Sequence, residues 1–301
     1  MPELPEVHTT ATILNTLITS KTICDVWTDY ESPHFARKEN IKNPSYFLKF
    51  KKSILNKKIV KVWRRAKYVL IELEDNSTIV IHMKMTGHLL YGTYFFDSKT
   101  KEWKSKTPGP LQDPFNRFIH FVLTFTDGTH LAFSDMRKFA SVHLTNNSQT
   151  LTEKFKDIGP EPLEKDFSVS ILEKQLSKRK NAKIKTALMD QTLISGIGNI
   201  YSDEILWSSQ IHPERTVLSL TKTDFKNIYT YTKKILSKGI NFGGDSMSDY
   251  RNPHGLPGKF QLEHNAYRRT NKECNQTNCD GKILRKVING RSAHFCSNCQ
   301  K

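Results

Sequence analysis

The hydrophobic periodicity of this 301-residue chain changes near residue 158, and that change constrains the fold more than any other feature. Upstream, short apolar or alternating runs predict β-strands over residues 59–63, 68–73, 79–83, 118–125 and 129–133. Downstream, helical spacing predicts helices over residues 168–178, 184–191, 200–209 and 221–238. Asp166 or Ser168 is expected to cap the first of these helices and Gly239 to close the last. Residues 158–162 (IGPEP) are interpreted as the linker.

The N-terminal part combines one helix with several short strands. Residues 8–20 have helical spacing, and Thr126, Asp127 and Gly128 form a hairpin signal between two of the strands. This pattern predicts a β-sandwich or a flattened barrel with flanking helices. Residues 93–114 show no periodicity and carry several lysines, so we expect a long surface insertion there.

The helical part contains a glycine-rich turn, residues 196–199 (GIGN), between two predicted helices. Glycines let the backbone approach a phosphate closely, and the helix that follows offers free N–H groups. A short glycine turn is also an ordinary way to connect two helices. The longer pattern from Leu188 to Tyr201, however, is a specific match to a helix-two-turns-helix DNA-binding element.

Four of the five cysteines lie in the last 28 residues, at positions Cys274, Cys279, Cys296 and Cys299. Two close pairs in a chain without secretory features predict one structural Zn²⁺ ion rather than disulfides. Basic residues separate the pairs, and Gly290 marks the tip of a predicted β-hairpin. Such a zinc finger is suited to binding in a nucleic-acid groove. Its alternative role is purely structural, because the metal would stabilise a C-terminal segment too small to form its own core. Cys24 is predicted to be a buried apolar residue.

These patterns together predict an α+β protein in three parts. A β-sandwich domain is expected over residues 1–157 and a helical DNA-binding domain over residues 158–264. The zinc-finger hairpin is expected over residues 265–301.

The charge balance bounds the class of partner. Lys and Arg outnumber Asp and Glu by 46 to 30, which gives a formal charge of +16 and a pI near 9.5. This excess favours a polyanionic partner, and nucleic acid more than anionic lipid, although a solvated basic surface also explains it. No apolar run reaches the roughly 18 residues of a membrane span, and the N-terminus lacks a signal peptide. We therefore expect a cytoplasmic protein without a membrane partner.

The first six residues, MPELPE, contain a candidate nucleophile. Once Met1 is removed, Pro2 presents a secondary amine that can attack a sugar carbon and hold it as an iminium ion. An α-amino group with a pKa near 8 is partly neutral at physiological pH, unlike lysine. Glu3 and Glu6 lie within reach for proton transfer. The alternative is an ordinary N-terminus that happens to contain proline.

Two further segments carry exposed-looking apolar residues beside cations. Met85 follows Lys84, and Phe139 lies two residues after Arg137. An apolar wedge with an arginine can fill the space left when a base is flipped out of a duplex. Taken alone, however, Met85 and Phe139 are interpreted as core residues.

These pieces occur together in one family, which the chain resembles over nearly its whole length: the formamidopyrimidine-DNA glycosylase and endonuclease VIII family of bifunctional base-excision repair enzymes. The likeness lies in residues 1–6, 64–68, 82–87, 135–139 and 190–201 and in the cysteine hairpin. Leu4 is similar to the formamidopyrimidine branch. The resemblance implies a glycosylase and lyase that removes oxidised purines, such as 8-oxoguanine and formamidopyrimidines, by β,δ-elimination.

The resemblance also implies individual roles. Pro2 would attack C1′, Glu3 would be the general acid/base, Glu6 and Glu204 would be supporting acids, and Lys67 would grip a phosphate beside the lesion. Contacts with the DNA backbone are implied for Lys185, Gly198, Asn199 and Arg291. Occupation of the space left by the flipped-out base is implied for Met85, Arg137 and Phe139. In this context the wedge interpretation of Met85 and Phe139 replaces the core interpretation. The implied partner is damaged double-stranded DNA, bound by a monomer that would be nucleoid-associated in a prokaryote.

The chain also departs from the family pattern. Four residues separate Cys274 from Cys279 where two are usual, and Lys138 stands where a second arginine is usual. The insertion at residues 93–114 is longer than expected. Residues 242–258 are similar to the damaged-base recognition loop but differ from its common sequence, so lesion preference is the least secure implication.

Two other functions remain open at this point. An endonuclease VIII-like glycosylase would prefer oxidised pyrimidines, and a non-catalytic protein would bind damaged DNA without cleaving it. The intact Pro2, Glu3 and Glu6 speak against the second of these. A ribosomal or membrane-surface protein accounts for the charge only.

Overall fold

The computed structural model describes residues 1–247 and 249–301, and it divides into two compact units. The first consists of Met1–Lys156 and Gly243–Lys259, and the second of Asp157–Phe242 and Phe260–Lys301. The chain therefore leaves the first unit, builds most of the second, and returns to the first for a short segment. Ser248, which belongs to the expected recognition loop, lies outside the described residues.

The first unit is a β-sandwich, as predicted. Its elements are α1 (Leu4–Ile18), β1 (Ile23–Thr28), α2 (Pro44–Ile54), β2 (Ile59–Arg65), β3 (Tyr68–Leu73), β4 (Thr78–His82), β5 (His88–Gly92), β6 (Tyr94–Asp97), β7 (Glu102–Ser105), β8 (Ile119–Phe125), β9 (His130–Ser134), β10 (Ser141–Thr145) and α3 (Ser148–Phe155). Two antiparallel sheets have the orders β1-β8-β9-β5 and β10-β4-β3-β2. Apolar side chains of both sheets, together with α1 and α2, form one buried core.

Helix α1 begins earlier than its periodicity predicts, at Leu4 rather than residue 8. Pro5 lies in its first turn, where a missing N–H costs nothing because the first N–H groups of a helix have no partner within it. The Glu6 carboxylate accepts a hydrogen bond from the N–H of Glu3 at 2.6 Å. Because of this start, Glu3 and Glu6 are held at the very beginning of a buried helix.

The expected insertion, residues 93–114, contains regular structure although its sequence shows no periodicity. Strands β6 and β7 form a hairpin, and Trp27, Phe96 and Trp103 pack on one another with ring centroids 5.7 to 5.9 Å apart. Two short 3₁₀ turns, Pro110–Gln112 and Pro114–Arg117, follow. Aromatic packing of this kind stabilises a two-stranded hairpin that has no alternating pattern.

The second unit is helical and ends in a β-hairpin. Its elements are α4 (Val169–Ser177), α5 (Ile184–Met189), α6 (Asn199–Ser208), α7 (Lys222–Asn241), β11 (Ile283–Ile288) and β12 (Arg291–Cys296). Ser168 caps α4 by accepting a hydrogen bond from the N–H of Ile171, as expected. The prediction that Gly239 ends α7 is wrong, because Gly239 is buried inside the helix and Phe242 follows its last residue. Packing of α7 on α4 and α6 outweighs the low helix propensity of glycine.

Strands β11 and β12 are joined by Asn289 and Gly290, with φ values of +46° and +74°. This two-residue turn, with both residues in the left-handed region, places Arg291 directly after the hairpin tip. Among the described residues, no helix is long and apolar enough to span a membrane.

Candidate active site and nucleic-acid interface

The N-terminal acids form the first cluster, and all of it lies in the sandwich unit. Pro2, Glu3 and Glu6 are buried, while Met1 is exposed. Glu6 uses both carboxylate oxygens: Oε2 accepts from the N–H of Glu3, and Oε1 accepts from the N–H of Asp245 at 2.7 Å. Two backbone donors fix this carboxylate beside Pro2.

The returning segment, residues 243–259 without Ser248, packs tightly against Glu6. A Cβ on Gly244 would lie 2.8 Å from Glu6 Cγ, and Gly244 has a φ of +87°. Tyr250 donates its hydroxyl to the backbone carbonyl of Glu6 at 3.0 Å and lies 3.3 Å from the Thr10 hydroxyl. Burial raises the pKa of Tyr250, so its hydroxyl stays protonated. The segment and the start of α1 thus form one hydrogen-bonded cluster.

A second cluster joins the two expected wedge segments. The buried Asp135 carboxylate accepts hydrogen bonds from the Thr86 hydroxyl at 2.5 Å, the Tyr30 hydroxyl at 3.0 Å and the N–H of Ala140 at 2.8 Å. The Thr86 hydroxyl also accepts from the N–H of Arg137 at 3.2 Å. Asp135 therefore fixes the turn that carries Met85 and the turn that carries Arg137 relative to each other. No sequence pattern predicts this role for Asp135.

The expected wedge residues are exposed. Met85 is 36% exposed and Phe139 is 49% exposed, so neither lies in the core. The Arg137 guanidinium lies 4.4 Å from the centroid of the Phe139 ring, a cation–π contact that presents both side chains together. Phe139, Arg137 and Met85 thus lie on turns whose positions are fixed by hydrogen bonds that involve the buried Asp135 carboxylate.

Lys138, the departure from the usual arginine, adopts a φ of +52° and forms an ion pair with Asp29 at 3.1 Å. Asp29 also accepts a hydrogen bond from His120 at 2.8 Å. Burial opposes ionisation of Asp29, but the hydrogen bonds and charges of His120 and Lys138 outweigh it and lower its pKa. The lysine charge is therefore partly neutralised within the protein.

Lys67 lies in the turn between β2 and β3, after Ala66 with a φ of +52°. It is 5% exposed. Nearby, burial and the charges of Lys84 and Lys67 lower the pKa of His82 to about 3. The neutral imidazole can then accept a hydrogen bond through Nδ1 from the N–H of Lys84 at 2.9 Å, which shapes the turn before Met85.

In the helical unit, Gln191 organises the glycine turn. Its side chain donates to the carbonyl of Ile197 at 2.7 Å and accepts from the N–H of Gly196 at 2.9 Å. Gly198 precedes the first residue of α6, Asn199. The Asn199 Oδ1 atom is buried and has no hydrogen-bond partner among the described residues. Rotation of that amide would place two N–H donors there, at the positive end of a helix.

Lys185 does not present its charge to solvent in this structure. It is 1% exposed, and its Nζ lies 2.5 Å from Asp203 Oδ1 and 3.2 Å from the Ser202 hydroxyl. Asp203 Oδ2 accepts from the N–H of His294 on β12 at 3.0 Å. Asp203 and His294, which no sequence pattern marks as functional, join α5, α6 and the C-terminal hairpin. Direct contact of Lys185 with DNA stays a prediction.

Glu204 is buried and anchors the chain that leads into the hairpin. Its carboxylate accepts hydrogen bonds from the N–H groups of Asn265, Ala266 and Tyr267 at 2.8 to 2.9 Å. Burial raises its pKa, although the three N–H groups act in the opposite direction. A role as a supporting acid stays a prediction.

The four C-terminal cysteines meet at one point. Their Sγ atoms all lie within 4.8 Å of one another, and the pairs Cys274/Cys299 and Cys279/Cys296 are 3.6 Å apart. Ligands of a tetrahedral zinc ion with bonds of about 2.3 Å would be about 3.8 Å apart, so the donor set fits this metal. The Trp207 ring N–H points at Cys274 Sγ at 3.3 Å, a contact that orients a thiolate ligand. The four-residue spacing of the first pair does not prevent this arrangement. Cys24, in contrast, is exposed, and the prediction that it is buried is wrong.

The comparisons with known proteins match this arrangement in both units. The profile of the formamidopyrimidine-DNA glycosylase H2TH domain matches residues 158–251, so the paired helices around the glycine turn belong to the helix-two-turns-helix class. The profile of the formamidopyrimidine-DNA glycosylase N-terminal domain matches residues 1–142. The chain belongs to the formamidopyrimidine-DNA glycosylase family.

Individual relatives cover the whole chain. The formamidopyrimidine-DNA glycosylase of Shouchella clausii is 37% identical over 100% of this chain and 99% of its own length, and that of Ligilactobacillus salivarius is 36% identical with the same coverage. Among solved structures, the complex between Lactococcus lactis Fpg and DNA with an abasic site superposes with a TM-score of 0.82 at 31% identity, covering 99% of each chain. A MutM complex with carbocyclic 8-oxo-G DNA has a TM-score of 0.82 at 30% identity and full coverage of both chains.

Proposed function

We propose that this protein is a bifunctional DNA glycosylase and abasic-site lyase of base-excision repair that removes oxidised purines. The buried Glu3 and Glu6 directly after Pro2, in a chain of this family, carry the proposal. The solved complexes of its relatives with abasic DNA and with 8-oxo-G DNA support the choice of substrate. We expect it to act as a monomer on duplex DNA.

The proposed chemistry begins at the nitrogen of Pro2 after removal of Met1. The neutral amine donates its electron pair to C1′ of the damaged nucleotide, the bond from C1′ to the base breaks, and the base leaves with a proton. Opening of the sugar ring converts the adduct to an iminium ion. Because the nitrogen is part of the proline ring, this iminium carries a permanent positive charge, which acidifies the C2′ proton.

Two eliminations would follow. Loss of the C2′ proton breaks the bond from C3′ to its phosphate oxygen, and loss of the C4′ proton then breaks the bond from C5′ to its phosphate. Water finally hydrolyses the iminium ion and frees Pro2. The products are a one-nucleotide gap with two phosphate ends and an unsaturated aldehyde fragment.

Proton transfer is assigned to the acids beside Pro2. Glu3 would move protons to the sugar oxygen and from C2′. Glu6, held by the N–H groups of Glu3 and Asp245, would keep the start of α1 in place. Glu204 would support the site from the helical unit by fixing residues 265–267.

DNA binding is assigned to both units. Lys67, Asn199 with Gly198, and Arg291 would contact phosphates. The Asn199 Oδ1 atom, which is buried without a hydrogen-bond partner among the described residues, supports the assignment of Asn199. Met85 and Phe139 would fill the space left by the flipped nucleotide. Arg137 would pair with the acceptor atoms of the orphaned cytosine. Lys185 would act through Asp203, by fixing α6 and the hairpin.

A zinc ion held by Cys274, Cys279, Cys296 and Cys299 would be structural. Bound there, it would order the hairpin through its coordinate bonds to the four thiolates, and it would take no part in bond breaking. Pro2 and Glu3, to which the bond-breaking steps are assigned, both belong to the sandwich unit.

Cleavage assays on a set of lesion duplexes test this function. We expect faster excision of 8-oxoguanine opposite cytosine than of thymine glycol, and covalent trapping by borohydride. Preference for thymine glycol would instead indicate an endonuclease VIII-like enzyme. Binding of abasic DNA without any nick would indicate a non-catalytic binder. Affinity should also fall steeply between 50 and 200 mM salt, because neutralised phosphates release counterions.

A further inference from the structure

An ion pair within the sandwich unit joins the returning segment to the insertion, with its arginine buried and its aspartate partly exposed. The Arg251 Nε atom lies 3.3 Å from Asp113 Oδ2, and Nη2 lies 3.5 Å from Oδ1. The Arg251 side chain is 8% exposed, and its guanidinium lies 4.6 Å from the centroid of the Phe115 ring. Arg251 also donates to the carbonyl of Tyr250 at 2.9 Å. A planar, two-pronged contact of this kind fixes orientation as well as distance.

Further contacts extend this fastening along the segment. The Asn116 side chain donates to the carbonyls of Pro110 at 2.8 Å and Gly255 at 3.4 Å, and its Oδ1 lies 2.8 Å from Nε2 of the buried His88. The N–H of Tyr91 donates to the carbonyl of Pro253 at 2.8 Å. Gly255 has a φ of +80°, and a Cβ on it would lie 2.6 Å from the Pro110 carbonyl oxygen. The insertion and the returning segment are therefore in direct backbone contact.

The other end of the same segment holds Glu6. The N–H of Asp245 donates to Glu6 Oε1, and Tyr250, which is adjacent to Arg251, donates to the Glu6 carbonyl. Tyr250 and Arg251, a short stretch of two adjacent residues, thus link Glu6 to Asp113. A displacement of that stretch would move the donors of the carboxylate that fixes the start of α1.

We propose that Asp113 is a positioning residue for Glu6, acting through Arg251 and the returning segment. This assigns a function to the insertion, which the sequence presents only as a surface feature. The inference rests on the proposed function of Glu6. Because the carboxylate of Asp113 also accepts from the N–H of Phe115 at 2.8 Å, asparagine at this position keeps that contact and removes the charge.

The test compares Asp113→Asn and Arg251→Lys with Asp97→Asn. Asp97 is in the same insertion and forms an ion pair with Lys104 at 2.7 Å in the exposed hairpin, so it controls for loss of charge alone. Single-turnover excision of 8-oxoguanine is measured at saturating enzyme, and affinity is measured on a duplex with a tetrahydrofuran abasic analogue. Thermal denaturation reports the folded fraction of every variant.

We expect the single-turnover rate to fall about tenfold in Asp113→Asn and Arg251→Lys, since small displacements of catalytic groups have effects of at least this size. Affinity should change less than about twofold, and Asp97→Asn should match the wild type. The double variant should be no slower than the slower single variant, because both changes break one contact. Asp113→Glu should recover part of the rate. Rates equal to those of Asp97→Asn, or losses matched by loss of folded protein, would overturn the inference.

Amide hydrogen exchange separates this inference from the proposed function. In Asp113→Asn, exchange at Asp245 should accelerate while exchange in strands β3 and β8 stays unchanged, whether or not the protein cleaves DNA. If the wild-type protein never excises a base while Asp113→Asn still shows this acceleration, the proposed enzymatic function is refuted and the link from Asp113 to Asp245 stands. Unchanged exchange at Asp245, in an active enzyme, would refute the role of Asp113.

Discussion

Lys185 Nζ lies 2.5 Å from Asp203 Oδ1, and both side chains are 1% exposed. Two charges are therefore removed from water together, at the point where α5, α6 and β12 meet. A buried pair of this kind is weak evidence for stability as such, but loss of one partner leaves the other charged and unpaired. The pair holds the start of α6 at Asn199 and strand β12 in fixed positions relative to each other, although neither charged side chain is exposed to solvent.

Replacement of Asp203 by asparagine should destabilise the protein by about 3–5 kcal/mol, because Lys185 then remains buried without its counterion. Chemical denaturation at pH 7 measures this change. Glu214→Gln is the matched control. Glu214 lies 2.6 Å from both Lys183 and Lys286 at the surface, and its loss should cost less than about 1 kcal/mol. Equal effects of the two substitutions would show that the buried pair has no special role.

Sequence reasoning predicted the local features of both units and missed most long-range ones. The glycine turn, the cysteine cluster and strand β3 depend on residues close together in the chain, and their patterns are visible there. The contact of Glu6 with Asp245 joins residues 239 positions apart, so no local pattern reveals it. Asp203 likewise has its role only because β12 returns to α6. The predicted helix end at Gly239 is wrong because tertiary packing keeps this glycine inside α7.

Stability should fall as the pH decreases from about 6.5 to about 4. Burial lowers the pKa of His88 to about 4, and burial with the charge of Lys154 lowers that of His143 to about 4, while His82 is lowered to about 3. In this range the unfolded chain binds these protons and the folded protein does not, so the free energy of unfolding decreases as the pH falls. Denaturation curves at several pH values measure the slope.

His143 offers a direct test of that slope, because its Nε2 is buried without a hydrogen-bond partner among residues 1–247 and 249–301. His143→Leu should reduce the pH dependence by nearly one proton between pH 6.5 and 4. The acidic groups with lowered pKa values, such as Asp97 and Asp127 at about 2, act mainly below this window. An unchanged slope in His143→Leu would contradict the assignment.

Gly244→Ala should impair excision severely while leaving DNA affinity nearly unchanged. The new Cβ would lie 2.8 Å from Glu6 Cγ and 2.9 Å from Oε1, and the backbone conformation disfavours any side chain. We expect a loss of about 100-fold or more in single-turnover rate. Gly128→Ala is the control, with a φ of +79° but no atom within 4 Å of its Cβ. If both variants retain full activity, the packing of this segment on Glu6 is unimportant.

Removal of the metal should unfold the C-terminal hairpin and weaken DNA binding. We expect one zinc per chain by elemental analysis, release of that zinc by a strong chelator, and faster amide exchange over β11 and β12. Cys279→Ser should have the same effect, because three ligands remain. Cys24→Ser, at an exposed position, should behave as the wild type. A protein that keeps its hairpin and affinity after zinc is lost would show that the cysteines serve another purpose.

The central claim is that the nitrogen of Pro2 is the nucleophile, and borohydride trapping on an abasic duplex tests it most directly. Mass spectrometry of the trapped peptide should find the reduced sugar on Pro2 of chains that have lost Met1. Protein with an uncleavable N-terminal extension should trap no DNA, since its Pro2 is a tertiary amide. Equal trapping by the extended protein, or an adduct on any lysine, would contradict the account.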